Sequence, residues 1–427
     1  MRKLFVLPLL LAGSLAAYSQ TSGLMTFGAN RLKNDGWTVG IAPVVTYNSD
    51  LGAQLGGVVE LCDYDEGSLY TQRINLAASY CTRNQVMVDF FYDSYKLIRG
   101  LYFTARIGYQ THPLRSFYGF NGVEDYYQDW DRNRDGRVAY YSMQNSTLRA
   151  QMALRGSITP SLGWTGGINY MNVKTGNLQL GDYDAGNTLF NRYVSSGIIS
   201  PEEKDGGSVL ELKGGLQYDS RDHQLSPRSG IHTDFLLTAG QEFGSAQNTY
   251  FKLGAHFRHY ITPGKDWLTF AYHLAYQGTV AGSSPFYMLQ DVYSYDSSQS
   301  LNEGLGGDNT IRGMLSRRLL ASGYAWANIE ARFRFVSWED GSQSMSIGAN
   351  PFCDLGILTQ TYRLESMASA THTDVGTLRD KASKPQVSVG AGLNFITNGN
   401  MISFVFAKSL TMPERSFEFS IVASYAF

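Results

Sequence analysis

What this chain lacks narrows it before anything it contains. Past the N-terminal end, no apolar stretch approaches the roughly 18–20 residues that a transmembrane helix needs. If the mature chain enters a membrane, it does so as strands, the other structure that leaves no backbone group unpaired in lipid. There are only three cysteines, too few for a disulfide framework and without metal-ligand spacing. Cys62 abuts the turn that starts at Asp63, and Cys81 lies about 13 residues beyond it, about 40 Å at about 3.3 Å per residue. The expectation is three free thiols, with Cys353 on a strand. Charged residues are only 17% of the chain and nearly balance, at a formal net charge of -2, or -4 once Arg2 and Lys3 are removed. That balance gives no electrostatic case for nucleic acid or for an acidic partner. The seven histidines are scattered, with no H-E-x-x-H and no G-x-S-x-G. A phospholipase would need Ser and His together on a lipid-facing outer rim, and no such pair is found. No enzyme and no cofactor are expected.

What is present begins with an export signal. Arg2 and Lys3 precede an apolar run from Leu4 to Ala17, and small residues at Ala17 and Ser19 fit cleavage before Gln20. No cysteine follows Leu11-Ala12-Gly13, so lipid anchoring is not expected. The reading is a signal peptide over 1–19, a short periplasmic segment over 20–35 and an outer-membrane β-barrel over 36–427. Glycine (45) and tyrosine (28) are abundant, and the mean hydropathy is mildly negative. Such a composition suits a barrel whose lipid-facing and lumen-facing residues alternate and cancel. Alternation of period two is the dominant pattern. Leu148, Ala150, Met152 and Leu154 take one face against Arg149, Gln151 and Arg155, and Phe251, Leu253, Ala255 and Phe257 alternate with Lys252, Gly254, His256 and Arg258.

About 16 such segments run from Trp37–Tyr47 to Ser416–Phe427. Short turns follow even-numbered segments, at Asp63–Ser68, Ile158–Ser161, Pro263–Asp266, Trp338–Ser342 and Thr397–Asn400. Long polar loops follow several odd-numbered ones, roughly His112–Gly136, Thr175–Gly207, Thr279–Ala321 and Thr359–Pro385. Outer-membrane barrels have short periplasmic turns and long outer loops, so this parity implies an all-β transmembrane antiparallel barrel with a periplasmic N-terminus. A soluble β-sandwich also has many short strands, but it predicts neither loop parity nor a terminal aromatic. Here Tyr425 and Phe427 end an alternating apolar run that looks like the C-terminal signal read by the barrel-assembly machinery.

Three ordered motifs carry a family resemblance. The first is Tyr218-Asp219-Ser220-Arg221-Asp222 followed by Ser226-Pro227-Arg228-Ser229-Gly230, a periplasmic turn after the eighth segment. The second is Gly306-Gly307-Asp308-Asn309-Thr310-Ile311-Arg312-Gly313, between segments eleven and twelve. The third is Phe352-Cys353-Asp354-Leu355-Gly356, in segment thirteen; Phe117-Tyr118-Gly119-Phe120 is a weaker match. Together they resemble the BamA/TamA superfamily of bacterial assembly and secretion barrels (the bacterial surface antigen family), over essentially the whole mature chain. The resemblance implies a long sixth outer loop folded into the lumen and help with insertion or translocation of protein or lipid, through the seam between first and last strands. Relatives carry POTRA domains ahead of the barrel, so a barrel-only member is expected, with client handover absent, supplied by a periplasmic or lipoprotein partner, or done differently. The alternative is a passive pore or structural surface antigen.

Parity sharpens the site. Asn328, Glu330, Arg332 and Arg334 share one face of segment twelve, and Phe352, Asp354 and Gly356 share one face of segment thirteen, both inward. A loop inside the barrel would let Arg312 bridge Asp354 in bidentate geometry, with Glu330 the less favoured partner, while Gly306, Gly307 and Gly313 let the backbone turn tightly. The plain alternative is an exposed arginine and two ordinary lumen carboxylates. Asp219 and Arg221 face inward, most simply as a structural ion pair, and Tyr218 faces out into an aromatic girdle. Asp131, Asn133 and Asp135, with Gly136, match the front half of a calcium loop, but Ser142 stands where the bidentate Glu belongs. An acidic turn is the favoured reading there.

Overall fold

The computed structural model describes the chain from Gly36 to Phe427 except residues 49–51, 65–69, 126–138, 179–184, 225, 245, 265, 293–302, 341–342, 398–399, 413–416 and 423–424. The expected signal peptide, the segment over 20–35 and the calcium candidate at Asp131, Asn133 and Asp135 lie outside the described residues. Sixteen antiparallel strands close into one barrel. They are β1 (Gly36–Asn48), β2 (Gly52–Tyr64), β3 (Gln72–Cys81), β4 (Val86–Ser94), β5 (Leu101–Ser116), β6 (Ser142–Ser157), β7 (Leu162–Gly176) and β8 (Gly206–Asp219). The second half is β9 (Gly230–Phe243), β10 (Thr249–Ile261), β11 (Leu268–Gly282), β12 (Gly323–Asp340), β13 (Gln343–Gln360), β14 (Gln386–Thr397), β15 (Asn400–Ser409) and β16 (Glu418–Val422).

Alternation accounts for the wall. On β9 Asp234, Leu236, Thr238 and Glu242 are buried while Phe235, Leu237 and Phe243 are exposed. On β10 Tyr250, Lys252, His256 and Tyr260 are buried while Phe251, Phe257 and Ile261 are exposed. The exposed set is apolar because it meets lipid; the inward set is polar because sixteen strands enclose room for water or for inserted chain. Cys62 and Cys81 are free and sit at opposite ends of the β2–β3 ladder, opposite Arg73 and Gln54. Cys353 is on β13 and free. The strands outrun several sequence bounds. β5 continues past His112 to Ser116, and β12 runs through Trp338 to Asp340.

The long loops carry helices that an all-strand reading had no place for: α1 (Leu189–Ser195), α2 (Leu364–Thr371) and α3 (Val375–Ala382). Their start signals are ordinary. Thr188 caps α1 by accepting from the Asn191 N–H, and Asp374 caps α3 by accepting from Thr377. Phe117 and Phe120, Tyr193 and Phe190 of α1, Phe286, Tyr362 and Met367 of α2 pack into one buried cluster joining four loops, with edge-to-face pairs such as Phe120–Tyr193 at 5.3 Å. The Phe117–Phe120 segment is therefore core to this loop cluster.

The last strand departs most from expectation. The apolar run to Phe427 predicts a strand to the end, but β16 stops at Val422. Arg332 explains where the following residues go. Its guanidinium lies 3.7 Å from the Tyr425 ring centre and its Nη2 donates to the backbone oxygen of Phe427 at 2.9 Å. Phe427 stacks on His273 at 5.1 Å, an inward-facing residue of β11. Among the described residues β16 meets β1 at Tyr47↔Ile421 and Asn48↔Ser420, whereas β1 pairs with β2 along its whole length.

A lysine on the lipid face tests the membrane assignment. Ile329→Lys, near the middle of β12 on its exposed face, is expected to lower unfolding stability in lipid vesicles by about 2–4 kcal/mol, read by denaturant titration. An unchanged midpoint would place that face in water.

Candidate functional site

The site is built where residues 303–322, between β11 and β12, meet the inward faces of β12 and β13. Its tip needs glycine. Gly306, Gly307 and Gly313 have φ of +124°, +100° and +81°, and a Cβ on Gly313 would stand 2.7 Å from the Lys408 backbone nitrogen of β15. Gly356 serves the same approach from the wall, since a Cβ there would stand 2.3 Å from Ile311 Cδ1. The segment folds back on itself through a Leu305↔Leu319 bridge. Leu305, Ile311, Met314 and Leu319 are buried with Trp326 and Tyr324 of β12.

Arg312 lies at the centre and is 3% exposed. Its Nε donates to Asp354 Oδ2 at 2.9 Å and its Nη2 to Asp354 Oδ1 at 2.7 Å, the side-on bidentate pair. The Arg312 backbone N–H donates to the same Oδ2 at 3.0 Å. Nη1 donates to Glu330 Oε1 at 2.5 Å, so the arginine engages both carboxylates, where the sequence ranked Glu330 the lesser partner. The guanidinium also lies 3.4 Å from the centre of the Phe352 ring. Glu330 Oε2 in turn accepts from Arg332 Nε at 2.8 Å. Arg332 stands two residues on from Glu330 on the same inward face, a partner the alternation alone makes visible. Two arginines and two carboxylates thus form one buried ionic group, with Tyr425 and Phe427 at its far side.

Neighbouring contacts fix the tip further. Asn328 Nδ2 donates to the Thr310 carbonyl at 2.7 Å, and Gly306 N–H donates to Thr310 Oγ1 at 2.8 Å. The other end of Asn328 bonds His273 Nδ1 at 2.9 Å, and His273 Nε2 meets His256 Nδ1 at 3.0 Å. Ser420 of β16 donates to Asp308 at 2.9 Å, so the segment touches the seam strand as well. Glu303 accepts from Asn309 through both its backbone and side chain. Burial, and then the Asp308 carboxylate, push Glu303 up to about 8. A small cleft, with room for about one water, lies between this tip and Tyr425, lined by Asp308, Arg312, Asn350 and Ser420 among others.

The turn between β8 and β9 forms a second constellation. Arg221 grips Asp219 side-on at 2.9 and 2.7 Å. Asp222 Oδ1 accepts the backbone N–H groups of Arg228 and Ser229, which holds its carboxyl below the usual range against the opposing effect of burial. Pro227 is buried, and Gly230 at φ +103° passes within 2.3 Å, measured from a hypothetical Cβ, of the Ser220 carbonyl. Tyr218 is exposed on the outer face. The turn is tied to the one between β10 and β11 by the Arg228–Asp266 ion pair at 2.6 Å, and Tyr260, which acts on Arg221, has its ring centre 5.4 Å from the Arg332 guanidinium.

The family model described as the Omp85 superfamily domain matches residues 71–427. No curated protein sequence matches the chain. Among solved structures, BamA from Haemophilus ducreyi lacking POTRA domains 1–3 aligns at TM-score 0.57 and 15% identity, over 98% of this chain and 77% of that one. CdiB from Escherichia coli aligns at TM-score 0.54 and 11% identity, over 92% and 68%. At such identities the likeness is one of fold.

Removing one member of the buried group strands a charge. Arg312→Ala is expected to cost on the order of 3–5 kcal/mol and to expose residues 303–322 to protease, with Asp354→Asn acting in the same direction. The exchanged pair Arg312→Asp with Asp354→Arg should recover part of the loss. Harmless single variants, with no gain in the double, would show that these side chains hold nothing.

Proposed function

The chain belongs to the Omp85 superfamily of bacterial outer-membrane barrels, and from that premise we propose that it assists insertion or translocation of protein or lipid at the outer membrane through the seam between β1 and β16. The observation that carries the reading is the short seam, paired only at Tyr47↔Ile421 and Asn48↔Ser420 among the described residues. At roughly 1 kcal/mol net per hydrogen bond, so few bonds part far more readily than a full ladder. A parted β1 presents a row of backbone donors and acceptors, and an incoming client strand satisfies them by strand addition. Its outward side chains, Trp37, Val39, Ile41 and Val45, suit such a strand to outer-membrane lipid.

In this reading the segment with Arg312 is lodged in the lumen as a plug, and the lock to Asp354 and Glu330 keeps it there while the seam works. The N-terminus lies on the periplasmic side, and a periplasmic or lipoprotein partner delivers the client. Tyr425 and Phe427 serve as the signal by which the barrel-assembly machinery inserts the protein, before Arg332 receives them inside. A passive pore or structural surface antigen is the competing reading, and it needs neither a weak seam nor a plug.

Depleting the protein and profiling outer-membrane proteins and lipids tests the role. Selective loss of one client class is expected, alongside small, erratic conductance in planar bilayers. Large stable channels together with an unchanged outer-membrane profile would favour the pore and sink the assembly role.

A further inference from the structure

The register of β5 against β6 is broken between His112 and Arg115, at Pro113 and Leu114. In a regular strand, residues three apart fall on opposite faces. Here the bulge turns both into the interior, where His112 is 2% and Arg115 1% exposed. Arg115 Nη1 donates to Asn145 Oδ1, and Asn145 is the register partner of His112. Among the described residues the remaining edge of the guanidinium, Nε and Nη2, has no acceptor, and neither ring nitrogen of His112 has a hydrogen-bond partner. That edge carries two parallel N–H bonds spaced for two oxygens of one oxyanion. Buried without an acceptor, it forfeits the solvation it had in water.

The surroundings add positive charge. Arg317, on the return arm of the loop at φ +61°, and Arg149 of β6 both repel Arg115. Arg83 contributes at His112. Among the described residues the carboxylate acting on Arg115 is Asp291, and it is shared with Arg149 at 3.1 Å.

We propose that this place binds a small tetrahedral oxyanion of the phosphate class, held side-on by Arg115 and by a ring N–H of His112, with the Arg317 cation beside it. A planar carboxylate would spend both oxygens on the Arg115 edge, whereas a phosphate group keeps further oxygens for His112 and for the loop cation. Bound there, the anion ties the β5–β6 wall to the return arm of the loop. It is a second tether, dependent on ligand and separate from Arg312. The phosphate group belongs either to a free anion or to a lipid headgroup.

The test follows thermal unfolding of the full chain in detergent, by heat-dependent gel mobility, in inorganic phosphate against sodium chloride at matched ionic strength and neutral pH. Phosphate should raise the wild-type midpoint saturably. In Arg115→Gln the apparent phosphate affinity should fall at least about tenfold, as loss of a charge-assisted hydrogen bond implies, while the chloride midpoint holds or rises because a repelled charge is gone. Arg317→Gln should weaken phosphate in the same direction, and it carries the test if the first variant does not fold. Lipid phosphorus that stays with the wild type through purification, and is lost from Arg317→Gln, identifies a headgroup as the source. Equal midpoints in the two salts with no phosphorus retained overturn the proposal, as does a phosphate shift of the same size in wild type and variants.

Discussion

The ionic group formed by Arg312, Asp354, Glu330 and Arg332 is the constraint on which the interior depends. Each of the four charges is nearly fully buried, and each is tolerable only because the others are present. Asp354 and Glu330 are fixed to neighbouring strands, so their spacing is set by the β12–β13 ladder. Arg312 comes from a loop whose placement that ladder does not set, and the bidentate grip supplies it. Arg332 extends the same charge balance to Tyr425 and Phe427. One electrostatic arrangement thereby holds both the loop tip and the residues that would otherwise lengthen the seam strand.

This coupling gives the short seam a cause. If Phe427 lay in the wall, β16 would have more length to pair with β1; held by Arg332 and stacked on His273, it cannot contribute. The Ser420–Asp308 hydrogen bond adds a contact between seam strand and loop. In the proposed reading the interior and the seam are therefore linked, and a displaced loop tip alters how the last strand pairs.

Much of this was legible in the sequence, for physical reasons. Period-two alternation reports burial directly, so the strands and the inward set Asn328, Glu330 and Asp354 follow from counting. Three features escaped. The inward course of Tyr425 and Phe427 is decided by a cation on a distant strand, and local alternation argues against it. The helices of the loop cluster lie in segments whose polarity reads as loop. The inward turn of both His112 and Arg115 depends on a bulge around Pro113, which period two mis-phases by one residue; the proline itself was the available signal.

In the proposed function the β1–β16 seam must part for the protein to work. Tyr47 and Ile421 are register partners across it, and directly opposed Cβ atoms lie about 4.5–5.5 Å apart, close to the span a disulfide bridges. With Cys62, Cys81 and Cys353 replaced by serine, the pair Tyr47→Cys and Ile421→Cys can be oxidised in growing cells and the outer membrane profiled. The account predicts that the cross-linked barrel fails to maintain the client proteins or lipids lost on depletion, and that reductant restores them. An outer membrane that is the same whether the seam is bonded or reduced would contradict it.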